Sequence, residues 1–368
     1  AIKMESCLGC TVNNNTITSN PYRGVWMDYG FNTVITNNTL DVDYYGFLVD
    51  DGSYYSLNGN TIRVHNINEQ SYSYGIRFSS SEYCTVNNNH ITSFYHSDSR
   101  AIYNTSGNSQ AIINNNYIDW GSTAYDSTQC GFYTSSGNQY SAYSPYAIQI
   151  DNPQEIKSNT ILQYEYYDGN AIYVYQSDNY NTDLTIENNH IELFSQYTWN
   201  DNSGAIRVSN SNSTNFTAST LIKNNTIELY NGAHVGIHSG DNTDIIGNTI
   251  SFGERYAQQC GFDQYGNQHR GIDVDDSDHH IIRNNTITNF ATGIEMSNSS
   301  DNVVDSNFIH TLSDYVTVSG SNYNWSNNNY GIYANNSDSL FITANTIKTG
   351  SGTLIYQTNG ASTIKYNL

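Results

Sequence analysis

Basic residues are scarce in this 368-residue chain, where 13 Lys plus Arg face 34 Asp plus Glu for a formal net charge of −21. So acidic a molecule repels phosphate backbones and anionic lipid, which argues against nucleic acid or a membrane surface as partner. Long apolar runs are also missing. None approaches the ~20 residues that span a bilayer, so membrane insertion is not expected. Five cysteines do not make a disulfide scaffold, and Cys7 and Cys10 form a lone CxxC without the second pair that a zinc site would want. Cys130 and Cys260 each stand in a Gln-Cys-Gly-Phe context, 129–132 and 259–262, inside long irregular stretches, where a disulfide between the two is one option. Helical periodicity is absent between the short alternating apolar segments.

Those segments recur. Gly271 to Ile287 shows one full unit: Ile272 and Val274 alternate with Asp273 and Asp275, a polar turn leads to Ile281 and Ile282, and an Asn-Asn step precedes Ile287. Three short strands and two turns fit this stretch. The unit is best anchored on an Asn standing one residue before a polar or aromatic residue and then an aliphatic one. Anchors fall at Asn15, Asn38, Asn60, Asn89, Asn116, Asn159, Asn189, Asn225, Asn248, Asn285, Asn307 and Asn345, never closer than 22 residues, and Asn367 fits the same register. Commonly 14 residues upstream, a Gly or Ala opens the first strand, as at Gly24, Gly46, Ala101, Ala171 and Gly293. A unit this short cannot bury a core alone and must stack on its neighbours. The expectation is an all-β solenoid, a parallel β-helix of about thirteen coils spanning 1–368 as one domain, with an Asn ladder at the turn between second and third strands. Asn suits that turn because it tolerates a left-handed backbone and can bond to the Asn above and below.

This pattern resembles the right-handed parallel β-helix superfamily of the pectate-lyase type, whose short coil repeats the Asn-x-Ile steps match along nearly the whole chain. The resemblance implies the fold. It leaves function open among lyases, glycoside hydrolases, epimerases, phage tailspikes and structural proteins. The chain starts at an opening strand and Leu368 ends flush with a coil, whereas solenoids usually cap their ends. An excised domain or mature fragment, or ends covered by other chains or domains, is the expectation.

Insertions break the repeat at chosen places. The stretches 119–146, 251–270 and 310–330 precede an opening strand, while coils at 171–191 and 205–227 lengthen the turn that follows it. Loops on both sides of one sheet make a walled groove. The first outward column of its floor reads Trp26, Leu48, Arg77, Tyr103, Gln149, Tyr173, Arg207, His238, Asp273, Glu295 and Tyr333, and Asp275 follows on the strand of Asp273. Arg207, His238, Asp273 and Glu295 thus stack on four consecutive coils. Carboxylates on adjacent coils would have backbones ~5 Å apart, and Asp273 and Asp275 would lie ~6.5–7 Å apart, near the spacings of retaining and inverting glycosidase pairs. Crowded acids raise one another's pKa, so one can hold a proton while another activates water or attacks.

The expectation is therefore an extracellular or cell-surface enzyme that degrades a polysaccharide, first as a glycoside hydrolase. Asp273 with Asp275 or Glu295 would be acid and base or nucleophile, and His238 and Arg207 would orient substrate. Tyr173, Tyr333, Arg77 and Tyr103 would bind the glycan, exposed Tyr being suited to sugar faces. A calcium-assisted lyase or epimerase is the next reading, ranked lower because Arg77, Arg207 and His238 are few cations for a uronate. No metal or cofactor is required. Asp276 and Asp278 read as turn acids, solvated or holding a structural calcium, and His279 and His280 as turn residues. The non-enzymatic alternative is a sheath or fibre solenoid, which would have no reason to gather loops around one charged sheet.

Overall fold

The computed structural model describes the chain apart from residues 1, 66–71, 94–98, 105–108, 122–124, 127–130, 133–144, 166–168, 178–179, 181, 196–203, 211–216, 232–234, 254–268, 312–314, 319–320, 325–328 and 351. Successive coils each place one strand in each of three parallel sheets, of thirteen, thirteen and twelve strands. Strand order within every sheet follows the chain, so coil stacks on coil in a right-handed parallel β-helix. No helix occurs among the described residues. One apolar core runs along the axis, and in the coil of Asp273 it takes Ile272, Val274, Ile282 and Ile287, all fully or almost fully buried. Each buried Ile or Val contributes roughly 1.5–3 kcal/mol.

The Asn ladder is continuous. From Asn15 to Asn367 each side-chain amide donates to the Oδ1 of the next coil's Asn at 2.9–3.0 Å. The same amides reach a backbone carbonyl, as Asn189 does to Ile156 O at 2.9 Å. The left-handed backbone, however, belongs to the residue before the anchor: Asn37, Asn88, Asn188 and Asn284 have φ of 53–57°, and Gly59 and Gly247 fill the same place. The two tasks expected of one Asn are divided between neighbours.

A second departure lies at the corner where each coil enters the first sheet. Gly271 and Ile272 are both buried, so strict alternation fails there and Arg270 faces outward along with Asp273. Close approach explains the glycine: a Cβ would come 2.3 Å from Ile287 Cγ2 and 2.7 Å from Gly293 O. The corner thus adds a third outward column ahead of the two read from the sequence, including Arg23, Tyr45, Tyr74, Arg100, Tyr146, Arg270 and Tyr330.

Cys7 and Cys10 are joined as a disulfide with Cα atoms 5.8 Å apart, a pairing the sequence reading did not make. Cys130 and Cys260 lie outside the described residues. So do most of 119–146 and 251–270 and part of 310–330, but the ends of these insertions are placed. Strands Tyr117–Trp120, Thr249–Gly253 and Phe308–Thr311 of the third sheet lead into them, and Tyr146–Asp151, Arg270–Asp275 and Tyr330–Asn335 of the first sheet take up the chain again. These three insertions therefore start and end along one edge of the first sheet.

Candidate functional site

Along the first sheet the outward column has the register expected from the sequence. Arg77 pairs with Tyr103, Tyr103 with Gln149, Gln149 with Tyr173, and Tyr173 with Arg207. Arg207 then pairs with His238, His238 with Asp273, Asp273 with Glu295, and Glu295 with Tyr333. Tyr173 and Tyr333 flank the charged rungs, whereas Arg77 and Tyr103 lie several coils toward the N-terminal end. Tyr333 stacks on Tyr356 with ring centroids 5.6 Å apart.

Contacts join His238, Asp273 and Glu295 with a further residue, Arg270. His238 Nδ1 lies 3.2 Å from Asp273 Oδ2. Arg270 Nε donates to Glu295 Oε2 at 2.6 Å, and its Nη1 lies 3.8 Å from Asp273 Oδ2. Arg270 thus bridges two carboxylates that would otherwise repel across the ladder. It is the residue that sequence reasoning missed, because a two-residue alternation counted from Gly271 gives no outward place to position 270. The signal was available only as a recurrent Arg or Tyr just before the corner glycine or alanine, at Arg23, Tyr45, Tyr74, Arg100 and Tyr146.

Burial differs sharply within the cluster. The Asp273 side chain is 8% exposed and His238 22% exposed, so Asp273 is covered by its neighbours while remaining on the outer face, away from the apolar core. As a carboxylate it accepts at Nδ1, which puts the hydrogen there and leaves Nε2 as the imidazole's acceptor. Asp275 is different: it is exposed at the strand's end, and partial desolvation first, then the charges of Asp276 and Asp273, push its carboxyl above the ordinary range, against opposing pulls from His238 and Arg270.

The turn acids beyond Asp275 are occupied by hydrogen bonds. Asp276 accepts from the Asn298 amide at 2.9 Å, and Asp278 accepts from Ser300 N at 2.5 Å. Asp276 and His279 adopt φ of 50° and 64°, as turn residues do. His280 departs from its expected place in the turn: it is fully buried in the coil interior, with backbone N donating to Asn302 Oδ1 at 2.8 Å. Its position precedes a second-sheet strand and points inward, where Leu340 sits two coils on.

A family described as Periplasmic copper-binding protein (NosD) matches residues 1–145, and one described as Right handed beta helix region matches 261–368. Among the described residues of the first of these segments, copper's preferred thiolate, thioether and imidazole ligands do not converge. Cys7 and Cys10 are bonded to each other, Cys84 and Met27 are buried in the core, His65 pairs with Asp41, and His90 packs on Tyr117. Among the described residues no group of three or more His, Cys, Asp and Glu is arranged to hold a metal ion.

No curated protein matches the chain. Among solved structures it is similar to tailspike protein 2 from Escherichia coli O157:H7 bacteriophage CAB120, at 12% identity and a TM-score of 0.39, over 90% of this chain and 38% of that one. It thus spans well under half the length of that tailspike. It is also similar to a PL6 family polysaccharide lyase from Pseudopedobacter saltans, at 12% identity and a TM-score of 0.43, over 98% and 92% of the two chains. A third likeness is to the mannuronan C-5 epimerase AlgE6 A-module of Azotobacter vinelandii, at 13% identity and a TM-score of 0.38, over 97% and 90%. With three continuous parallel sheets and a β-helix family matching its C-terminal coils, the chain belongs to the right-handed parallel β-helix superfamily.

Proposed function

We propose that the first-sheet face acts on a polysaccharide and cleaves it by proton transfer between His238 and Asp275. The observation that carries this reading is the His238 Nδ1 contact with Asp273 Oδ2 at 3.2 Å. A carboxylate held on Nδ1 fixes the tautomer and orients the ring, so that Nε2 can take a proton from substrate or water. Asp275, raised by partial desolvation and by Asp276 and Asp273, is the carboxyl best suited to hold a proton for the leaving oxygen. Arg270 and Arg207 bring positive charge to the same rungs, where negative charge develops in the transition state. In this scheme Asp273 is a positioning residue and Glu295 holds Arg270.

Hydrolysis by a carboxylate pair uses Asp273 or Glu295 as base or nucleophile, and both are engaged by Arg270 or His238. The geometry therefore gives glycoside hydrolysis no preference over β-elimination. The product separates the two: elimination leaves an unsaturated sugar with ultraviolet absorbance, whereas hydrolysis leaves saturated reducing ends only. A polysaccharide substrate also implies a site of action outside the cytoplasm.

The test is a digestion screen over polysaccharides with the parent chain, then with His238→Gln and Asp275→Asn on any substrate cleaved. Loss of a positioned acid or base costs ~10²–10⁴ in rate, and each variant should fall by that much while keeping its β-rich circular dichroism. Full activity in both variants would remove these residues from the mechanism. Absence of any cleavage would favour the sheath or fibre reading.

A further inference from the structure

Well away from the acid–histidine cluster, the N-terminal coils of the same face carry arginines laid on aromatic rings. The Arg23 guanidinium lies 4.6 Å from the Trp26 ring centroid, 5.6 Å from Tyr22 and 5.7 Å from Tyr45. Arg77 lies 5.2 Å from Tyr74 and 5.9 Å from Tyr103. Arg100 continues the strip, 5.3 Å from Tyr103 and 5.4 Å from Tyr146, with its Nε donating to Gln149 at 2.7 Å. The rings themselves form a run: Tyr45 stacks on Tyr74 at 5.5 Å, and Tyr74 meets Tyr103 at 5.0 Å.

Two features set Arg23 and Arg77 apart. Acidic residues outnumber basic ones 34 to 13 in this chain, yet among the described residues neither guanidinium is paired with a carboxylate. Both Nε atoms are buried without a hydrogen-bond partner. Stacking on a ring satisfies the face of a guanidinium and, with Nε buried, leaves the outer Nη groups for a planar or tetrahedral anion. Arg23 and Arg77 stand two coils apart in the first sheet, or about 10 Å at the ~4.8 Å strand spacing, with a Tyr rung between them for a sugar ring to lie on.

We infer that this Arg–Tyr strip is a binding site for an acidic glycan, the guanidiniums of Arg23 and Arg77 taking carboxylate or sulfate groups and the rings taking sugar faces. It lies on the same sheet as His238 and Asp273, six coils from Arg77 to Asp273, about 29 Å along the axis. One extended chain can therefore occupy both. The inference rests on the proposed action on polysaccharide and adds that the polymer is anionic. The net charge opposes any polyanion at long range, but ionic screening limits that repulsion to about 10 Å at 0.1 M salt, while the contacts are direct.

The experiment measures binding and cleavage separately. Binding to a panel of uronate-containing, sulfated and neutral polysaccharides, and to single-stranded poly(dT), is measured with Asp275→Asn to prevent turnover. Arg23→Gln, Arg77→Gln and their double variant are then added to that background, with circular dichroism to confirm the fold. Expected is binding to at least one acidic polysaccharide, weakened roughly tenfold or more for each guanidinium removed, and less by Arg→Lys, which keeps charge but loses the fork. Preference for uronate or for sulfate identifies the anion. The inference is overturned if no acidic chain binds, if neutral chains or poly(dT) bind as tightly, or if the double variant binds like its parent. Cleavage of a neutral chain with no acidic binding would sink the strip and leave the enzyme reading intact. Acidic binding without cleavage by the parent would do the reverse.

Discussion

At His280 an imidazole lies inside the coil, next to Asn302 of the following coil, with neither ring nitrogen in a well-formed hydrogen bond. Burial, helped by the charges of His279 and His238, pushes it down to about 4, with the Thr243 backbone opposing. The folded state therefore holds the neutral ring, whereas the unfolded chain takes up a proton below about pH 6.5. The sign follows: the contribution is full above about pH 6.5 and is lost as pH falls toward 4, by up to about 3 kcal/mol. Unfolding midpoints in urea at about pH 7 and about pH 4 should differ accordingly in the parent. His280→Leu should reduce that difference, since Leu340 already fills the equivalent inward position. An unchanged pH dependence in the variant would mean that surface carboxylates, not this ring, set it. His238, one coil earlier on the first sheet, differs in having a carboxylate at hydrogen-bonding distance, and that partner is what makes it a candidate base.

Elements in this solenoid are coupled by repetition. A strand of three or four residues makes few contacts of its own, so each turn must hold its place through the turns above and below. The Asn column does this with buried amides. Asn189 accepts from both the backbone N and the side-chain amide of Asn159 at 2.9 Å, and donates to Ile156 O and to Asn225 Oδ1 at 2.9 Å. Asn189→Ala removes all four bonds and leaves buried partners unsatisfied, which at about 1 kcal/mol per net bond predicts a loss of roughly 3–4 kcal/mol. Asn367 closes the column with one neighbouring rung and should cost less on the same substitution. Urea unfolding of the two variants checks the order, and equal costs would mean that the ladder does not act as a series. The corner glycines serve the same stacking. By allowing two inward residues in succession, Gly271 turns Arg270 onto the outer face, and the contact with Glu295 depends on it.

Across the whole molecule, the acidic excess is spread over the face and turns of one long solenoid, and like charges on neighbouring coils repel. Raising ionic strength should therefore raise the thermal midpoint, by a few degrees between low salt and about 0.5 M, as screening shortens the reach of that repulsion. A midpoint that falls with salt would mean that ion pairs such as Lys157 with Glu155 and Glu187 outweigh the net repulsion.

The period, the thirteen coils, the inward Ile and Val and the outward order from Arg77 to Tyr333 were all legible in the residues alone. Stacking translates a one-dimensional repeat directly into a column of neighbours, so spacing along the chain becomes distance along the axis. Tertiary structure decided what that translation cannot carry. Alternation breaks at the corner, so Arg270 and the corner members of the Arg–Tyr strip, Arg23, Tyr45, Tyr74 and Arg100, became visible only when Gly271 and Ile272 were both found facing inward, whereas Arg77 and Tyr103 already stood in the outward column. His280 reads like its neighbour His279, and only the direction of the turn sends one ring into the core and the other to solvent. Which carboxylates are held in ion pairs and which carries a raised pKa depends on side-chain contacts between coils, and a repeat specifies rungs without specifying those contacts.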